Sequence, residues 1–78
     1  MEAWQKFIDL LDKKQKERAL MTALKIMNWD LKGLDIKKMQ GTEDEYRCRI
    51  GKIRIRFLKL EQGAKILRIG FRGDVYDR

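Results

Sequence analysis

The residues best suited to chemistry in this chain run Arg47-Cys48-Arg49-Ile50-Gly51-Lys52-Ile53-Arg54-Ile55-Arg56. On both sides of Gly51-Lys52, arginine alternates with an apolar or small residue. Strict alternation is the period of a β-strand with one buried face. A glycine followed by a polar residue between two such runs predicts a two-residue hairpin turn with Gly at its first position. That turn fixes the register: Ile50 faces Ile53, Arg49 faces Arg54, Cys48 faces Ile55 and Arg47 faces Arg56. Four guanidinium groups then lie on one sheet face as two cross-strand pairs. Like charges directly opposite destabilise a sheet, and a face that only met water would mix its signs. The arrangement suits a polyanion, because guanidinium forks match phosphate oxygens in pairs. The plain alternative is a solvated basic face.

The elements that must position these arginines are legible around them. Three strands are expected, over 45–50, 53–60 and 64–72. Glu61-Gln62-Gly63 fits a three-residue connection with Gly in the left-handed position. It pairs Phe57 with Leu67, Ile55 with Ile69 and Ile53 with Phe71 on the apolar face. On the other face it sets Arg56 beside Arg68, and Arg54 beside Gly70, which leaves open space next to a guanidinium. Arg72 falls at the strand end on the same face. Trp4, Phe7, Ile8 and Leu11 recur at helical spacing over 3–11, and Leu20, Ala23, Leu24 and Met27 do so in a second helix over 13–28. Asp12 with Gln15 reads as a capping box between the two. The 28–44 connection carries Leu31, Leu34, Ile36 and Met39 and reads as a packed loop. The expected architecture is α+β: an N-terminal helical hairpin packed on a three-stranded antiparallel sheet.

Composition narrows the function. The chain has 78 residues, the size of a single small domain over 1–78, and a net charge of +7. Residues 1–44 hold nine Lys/Arg against eight Asp/Glu, whereas residues 45–78 hold ten against four. The excess therefore sits on the sheet half, as a nucleic-acid-binding surface requires. Histidine is absent, which removes Ser-His and Cys-His catalysis and the usual zinc sites. No metal site and no cofactor is expected. The lone Cys48 reads as a buried core thiol. Trp4, Phe7 and Trp29 suit the core, Lys13, Lys14 and Lys16 a solvated face, and Asp9, Asp12 and Glu17 helix surface and cap. There is no 18-residue apolar run and no signal-peptide pattern, so a cytoplasmic protein without membrane contact is expected.

Three segments carry a family resemblance. They are Leu34-Asp35-Ile36-Lys37-Lys38-Met39-Gln40-Gly41, then Tyr46-Arg47-Cys48-Arg49-Ile50-Gly51-Lys52-Ile53-Arg54-Ile55-Arg56-Phe57, then Ile69-Gly70-Phe71-Arg72-Gly73-Asp74-Val75-Tyr76. In order and spacing they resemble the RelE/ParE toxin superfamily of bacterial and archaeal toxin–antitoxin systems. The resemblance implies a ribosome-dependent messenger-RNA endonuclease held silent by a cognate antitoxin. Carried over by position, the catalytic set is Arg47, Arg49, Arg54, Arg72 and Tyr76. The RNA-binding set is Arg47, Arg49, Lys52, Arg54, Arg56 and Arg68. Some RelE-type members have lysine at the first two catalytic positions. The family usually opens on a β-strand before its first helix, whereas here the first helix is expected to begin almost at Met1. A free sheet edge is therefore expected, which a strand from an antitoxin or a second copy would complete to four.

Metal-free RNA cleavage needs a deprotonated 2′-hydroxyl, a stabilised phosphorane and a protonated leaving 5′-oxygen. Arginine serves the second need and is a poor base. Tyr76 can stack on a base, orient the 2′-hydroxyl or hold a proton in passing, and a phenol near pKa 10 is itself a weak base at neutral pH. Three functions stay open: the endoribonuclease, a ParE-like inhibitor of DNA gyrase, and a non-catalytic binding module of the same fold. The implied partners are a small acidic antitoxin, with a heterotetramer as one arrangement, together with the ribosome and messenger RNA.

Overall fold

A computed structural model describes residues 2–41 and 43–71. The elements are α1 (Ala3–Asp9), α2 (Lys13–Met27), β1 (Asp35–Lys38), β2 (Glu45–Ile50), β3 (Ile53–Lys59) and β4 (Ala64–Phe71). The strands form one antiparallel sheet in the order β1-β2-β3-β4. The α+β architecture is the one the sequence predicts, with the helical hairpin laid on one sheet face. Trp4 and Ile8 of α1 and Ala19, Ala23 and Ile26 of α2 share a core with Cys48, Ile50, Ile53, Ile55, Phe57, Ile66 and Ile69.

Local chemistry accounts for the helix ends. The Glu2 amide donates to Gln5 Oε1 at 2.8 Å, and Asp12 Oδ1 accepts from the Gln15 amide at 2.8 Å. Both side chains satisfy amides that the first turn of a helix leaves unpaired. At the other end of α2, the Trp29 amide donates to the Ile26 carbonyl and the Asp30 amide to the Lys25 carbonyl, each at 2.8 Å. This is a Schellman closure, and Trp29 occupies its left-handed position at φ 57°.

Three expectations need correction. First, the 28–44 connection is not all loop. It contains β1, which pairs with β2 through Asp35–Arg49, Ile36–Cys48, Lys37–Arg47 and Lys38–Tyr46. Asp-Ile-Lys-Lys holds a single apolar residue, too few for alternation to show. The fourth strand comes from within the chain and covers the β2 edge that a three-stranded sheet would leave open. Second, Phe57 pairs with Ile66 and not with Leu67. A β-bulge beyond the Arg56–Arg68 pair makes Leu67 the extra residue, 39% exposed. The bulge lets Ile66 enter the core while Arg68 keeps its place beside Arg56. Third, the buried stripe of α2 is Ala19, Thr22, Ala23 and Ile26, whereas Leu20 and Leu24 are 44% and 45% exposed. The alanines let the helix sit close to the sheet, and the leucines flank the contact.

Gly63 shows how closely the layers meet. A Cβ built on it would lie 2.2 Å from the Met27 carbonyl oxygen, and its φ is +79°. The β3–β4 turn is therefore wedged against the end of α2.

Candidate nucleic-acid interface

The β2–β3 register pairs Arg47 with Arg56, Cys48 with Ile55, Arg49 with Arg54 and Ile50 with Ile53, as the alternation predicts. Gly51 carries φ +56° at the first turn position, which suits glycine there. β4 adds Arg68 beside Arg56 and Gly70 beside Arg54. Arg47, Arg49, Arg54, Arg56 and Arg68 therefore share the sheet face away from the helices. Lys52 sits in the turn at the end of that sheet. Arg72 and Tyr76 lie outside the described residues.

β1 brings two groups that the sequence did not place there. Lys37 pairs with Arg47, and Asp35 pairs with Arg49. One row across the sheet is thus Lys37, Arg47, Arg56 and Arg68, a cation on every strand. The next is Asp35, Arg49, Arg54 and Gly70. The signal for Lys37 was present, two residues from Asp35 on one strand face, but it becomes readable only once β1 is recognised.

Signs are mixed at Asp35, beside Arg49, and at Glu45. Glu45 lies on the same face, and its Oε2 accepts from Arg56 Nε at 2.9 Å and from Arg56 Nη2. Both side chains are largely covered, at 24% exposure for Arg56 and 17% for Glu45. This pair holds the Arg56 guanidinium in place and offsets part of the like-charge repulsion within the row. Arg54 is held differently: its Nη1 donates to the Gly51 carbonyl at 2.7 Å and to the Ile53 carbonyl at 3.2 Å. The turn that sets the register thus also anchors the guanidinium. Arg49 and Arg68 are exposed.

Behind this face lies Cys48, fully buried between Ile36 and Ile55 on the helix side. Burial pushes its thiol up to about 11, and the charge of Asp35 adds to the effect. A neutral thiol in this setting is packing and not a nucleophile. Among the described residues no three His, Cys, Asp or Glu side chains gather as a metal site requires. Among the described residues, too, no helix is long and apolar enough to cross a membrane.

This geometry can be set beside known proteins. No protein-family model and no curated protein sequence matches the chain. A solved structure does: the RelB-RelE antitoxin–toxin complex from Methanococcus jannaschii, at a TM-score of 0.77 and 22% identity. The match covers 97% of this chain and 92% of that one. The fold is RelE-like. A RelE-like sheet thus carries five arginines on the face away from its helices, with β1 completing the sheet from inside the chain.

Proposed function

We propose that this chain is the toxin of a toxin–antitoxin pair, a metal-independent endoribonuclease that cuts messenger RNA on the ribosome, and that 1–78 forms one toxin domain. The observation that carries the reading is the pair of cross-strand arginine couples, Arg47–Arg56 and Arg49–Arg54, on the face of a RelE-like sheet away from its helices. Anchored guanidinium groups provide fixed donors for a phosphate whose charge grows in the transition state. Arg54, held by turn carbonyls, and Arg49 beside it are assigned to the scissile phosphate, with Arg47 next to them. Arg72 is assigned to the phosphorane or leaving oxygen, and Tyr76 to the 2′-hydroxyl and its proton. Arg56, Arg68 and Lys52 bind the flanking RNA. Precise placement would then come from the ribosome, which also sets the cellular site as the cytoplasm.

The partner follows from the same face. Arginines facing one another favour a polyanion or an acidic protein. The exposed Leu20, Met21 and Leu24 of α2 offer anchors for an amphipathic antitoxin segment. The neighbouring fold was solved as a complex with its antitoxin, which supports a heteromeric assembly here.

The test is induced expression followed by mapping of messenger-RNA 5′ ends. Codon-phased cuts that disappear in Arg49→Gln with Arg54→Gln are the expected result. A DNA-damage response without cuts would transfer the chain to the gyrase poisons. Unaffected growth would leave a binding module only.

A further inference from the structure

The two rows of the face differ in kind. The Lys37–Arg47–Arg56–Arg68 row has a cation on each of four strands, while the neighbouring row begins at Asp35 and ends at Gly70. Strands in a sheet lie about 4.8 Å apart, so the first row spans about 14 Å from Lys37 to Arg68. Both end residues are exposed. A polyanion following any one strand would soon leave positive charge. Among the described residues, β1 offers Lys37 beside Asp35, β2 offers Arg47 and Arg49 before Glu45, β3 offers Arg54 and Arg56 before Leu58, and β4 offers Arg68 between Gly70 and the bulge, with Lys65 beyond it. The longest unbroken run of cations on the described face is the row at right angles to the strands.

We propose that a single strand of RNA crosses this sheet perpendicular to the β-strands, with its phosphates seated on the Lys37–Arg68 row. The inference rests on the RNA-cleaving reading and adds to it a direction and a residue, Lys37. The neighbouring row then brings Arg49 and Arg54 to the scissile phosphate from the sugar and base side of the strand. There Gly70, itself buried, adds no side chain of its own beside Arg54. Bases spread over a surface in this way belong to single-stranded RNA, since a duplex keeps them stacked inside. The Glu45–Arg56 pair has a place in the arrangement too. It fixes the middle of the row, so the outermost charges, Lys37 and Arg68, read the ends of the bound segment.

The test uses the purified chain and a labelled oligouridylate, titrated at several salt concentrations. Each lost phosphate contact on a single strand lowers the magnitude of the slope of log K against log salt by about 0.7. Lys37→Gln and Arg68→Gln should each show that loss, Lys37→Arg should restore the wild-type slope, and Lys25→Gln, exposed on α2 in the helix layer, should leave it unchanged. A wild-type slope in Lys37→Gln would overturn the proposal, because the strand would not reach β1. An equal loss in Lys25→Gln would also overturn it, since binding would then be diffuse. A duplex RNA bound as tightly and with the same slope would refute the single-strand claim. Mapping 5′ ends with the same variants keeps the two readings apart. Cuts by the wild type with unmoved slopes remove the track alone. Slopes that follow the row in a chain that cuts nothing remove the nuclease and uphold the track.

Discussion

Trp29 closes α2 in a backbone region that a bulky residue enters at a cost of about 1–2 kcal/mol. The ring repays the strain. It packs edge-on against Tyr46 and Phe57, at centroid distances of 5.5 and 6.0 Å, and Lys59 Nζ lies 5.4 Å from its centroid. Strain and packing can be separated. Trp29→Gly and Trp29→Ala both remove the ring, but only Gly relieves the backbone, so Gly should unfold at higher urea, with a difference of about 1 kcal/mol. Equal stabilities would deny that the left-handed conformation is strained. Cys48 allows a second test at this scale. Its thiol is pushed from 9.0 up to about 11 in the fold. A raised value means that the folded state keeps its proton while the unfolded chain loses it, so stability is intact below about pH 9 and declines as pH rises towards 11. Other groups titrate there too, so the quantity to measure is the difference between wild type and Cys48→Ala. Cys48→Ala should be less stable at pH 7 through the cavity it leaves, and the gap should narrow between pH 9 and 11. A gap that is constant with pH would show that the thiol does not titrate with unfolding.

Turns and registers explain which elements were readable from the chain. The β2–β3 hairpin was fully legible, because strict alternation and Gly51 specify the same pairing from two sides. The β3–β4 hairpin was legible as far as Arg56–Arg68. Beyond it, the adjacent apolar residues Ile66 and Leu67 break the alternation, and only packing decides which of them goes inside. β1 was hidden in a segment with one apolar residue, Ile36, whose burial depends on Cys48 across the sheet, so Lys37 and Asp35 were missed as members of the face. The two turn glycines should respond very differently to substitution. Gly51 has φ +56° and nothing within 4 Å of a built Cβ, whereas Gly63 combines φ +79° with the Met27 carbonyl at 2.2 Å. Gly51→Asn should cost under about 1 kcal/mol, since Asn accepts left-handed backbone. Gly63→Ala should cost several times that, about 3 kcal/mol or more, because strain and a clash with backbone add. Comparable midpoints in thermal or urea unfolding would mean that the turn moves freely off α2.

For the molecule as a whole, charge distribution ties stability to function. A row of four cations, relieved in part by Glu45, repels itself in water, and the sheet half carries the excess of a chain with net charge +7. Such repulsion is screened by salt over about 8–10 Å near physiological ionic strength. The isolated chain should therefore melt at higher temperature as sodium chloride is added, before any partner is present. An acidic partner across the face should act in the same sense and more strongly, because it adds apolar contact and binds only the folded state. At a hundredfold excess over Kd it would contribute about 2.7 kcal/mol, which for a domain this small raises Tm by about 10–20 °C. The two effects should overlap: once the partner has neutralised the row, added salt should raise Tm less, or lower it by weakening the complex. The measurement is co-expression with the adjacent open reading frame, co-purification, and melting of the chain and the complex across a salt series. A chain that melts at the same temperature in low and high salt would show that its arginines do not strain the fold. An adjacent product that neither co-purifies nor shifts the melt would remove the antitoxin from the account, and the basic face would then have to answer to nucleic acid alone.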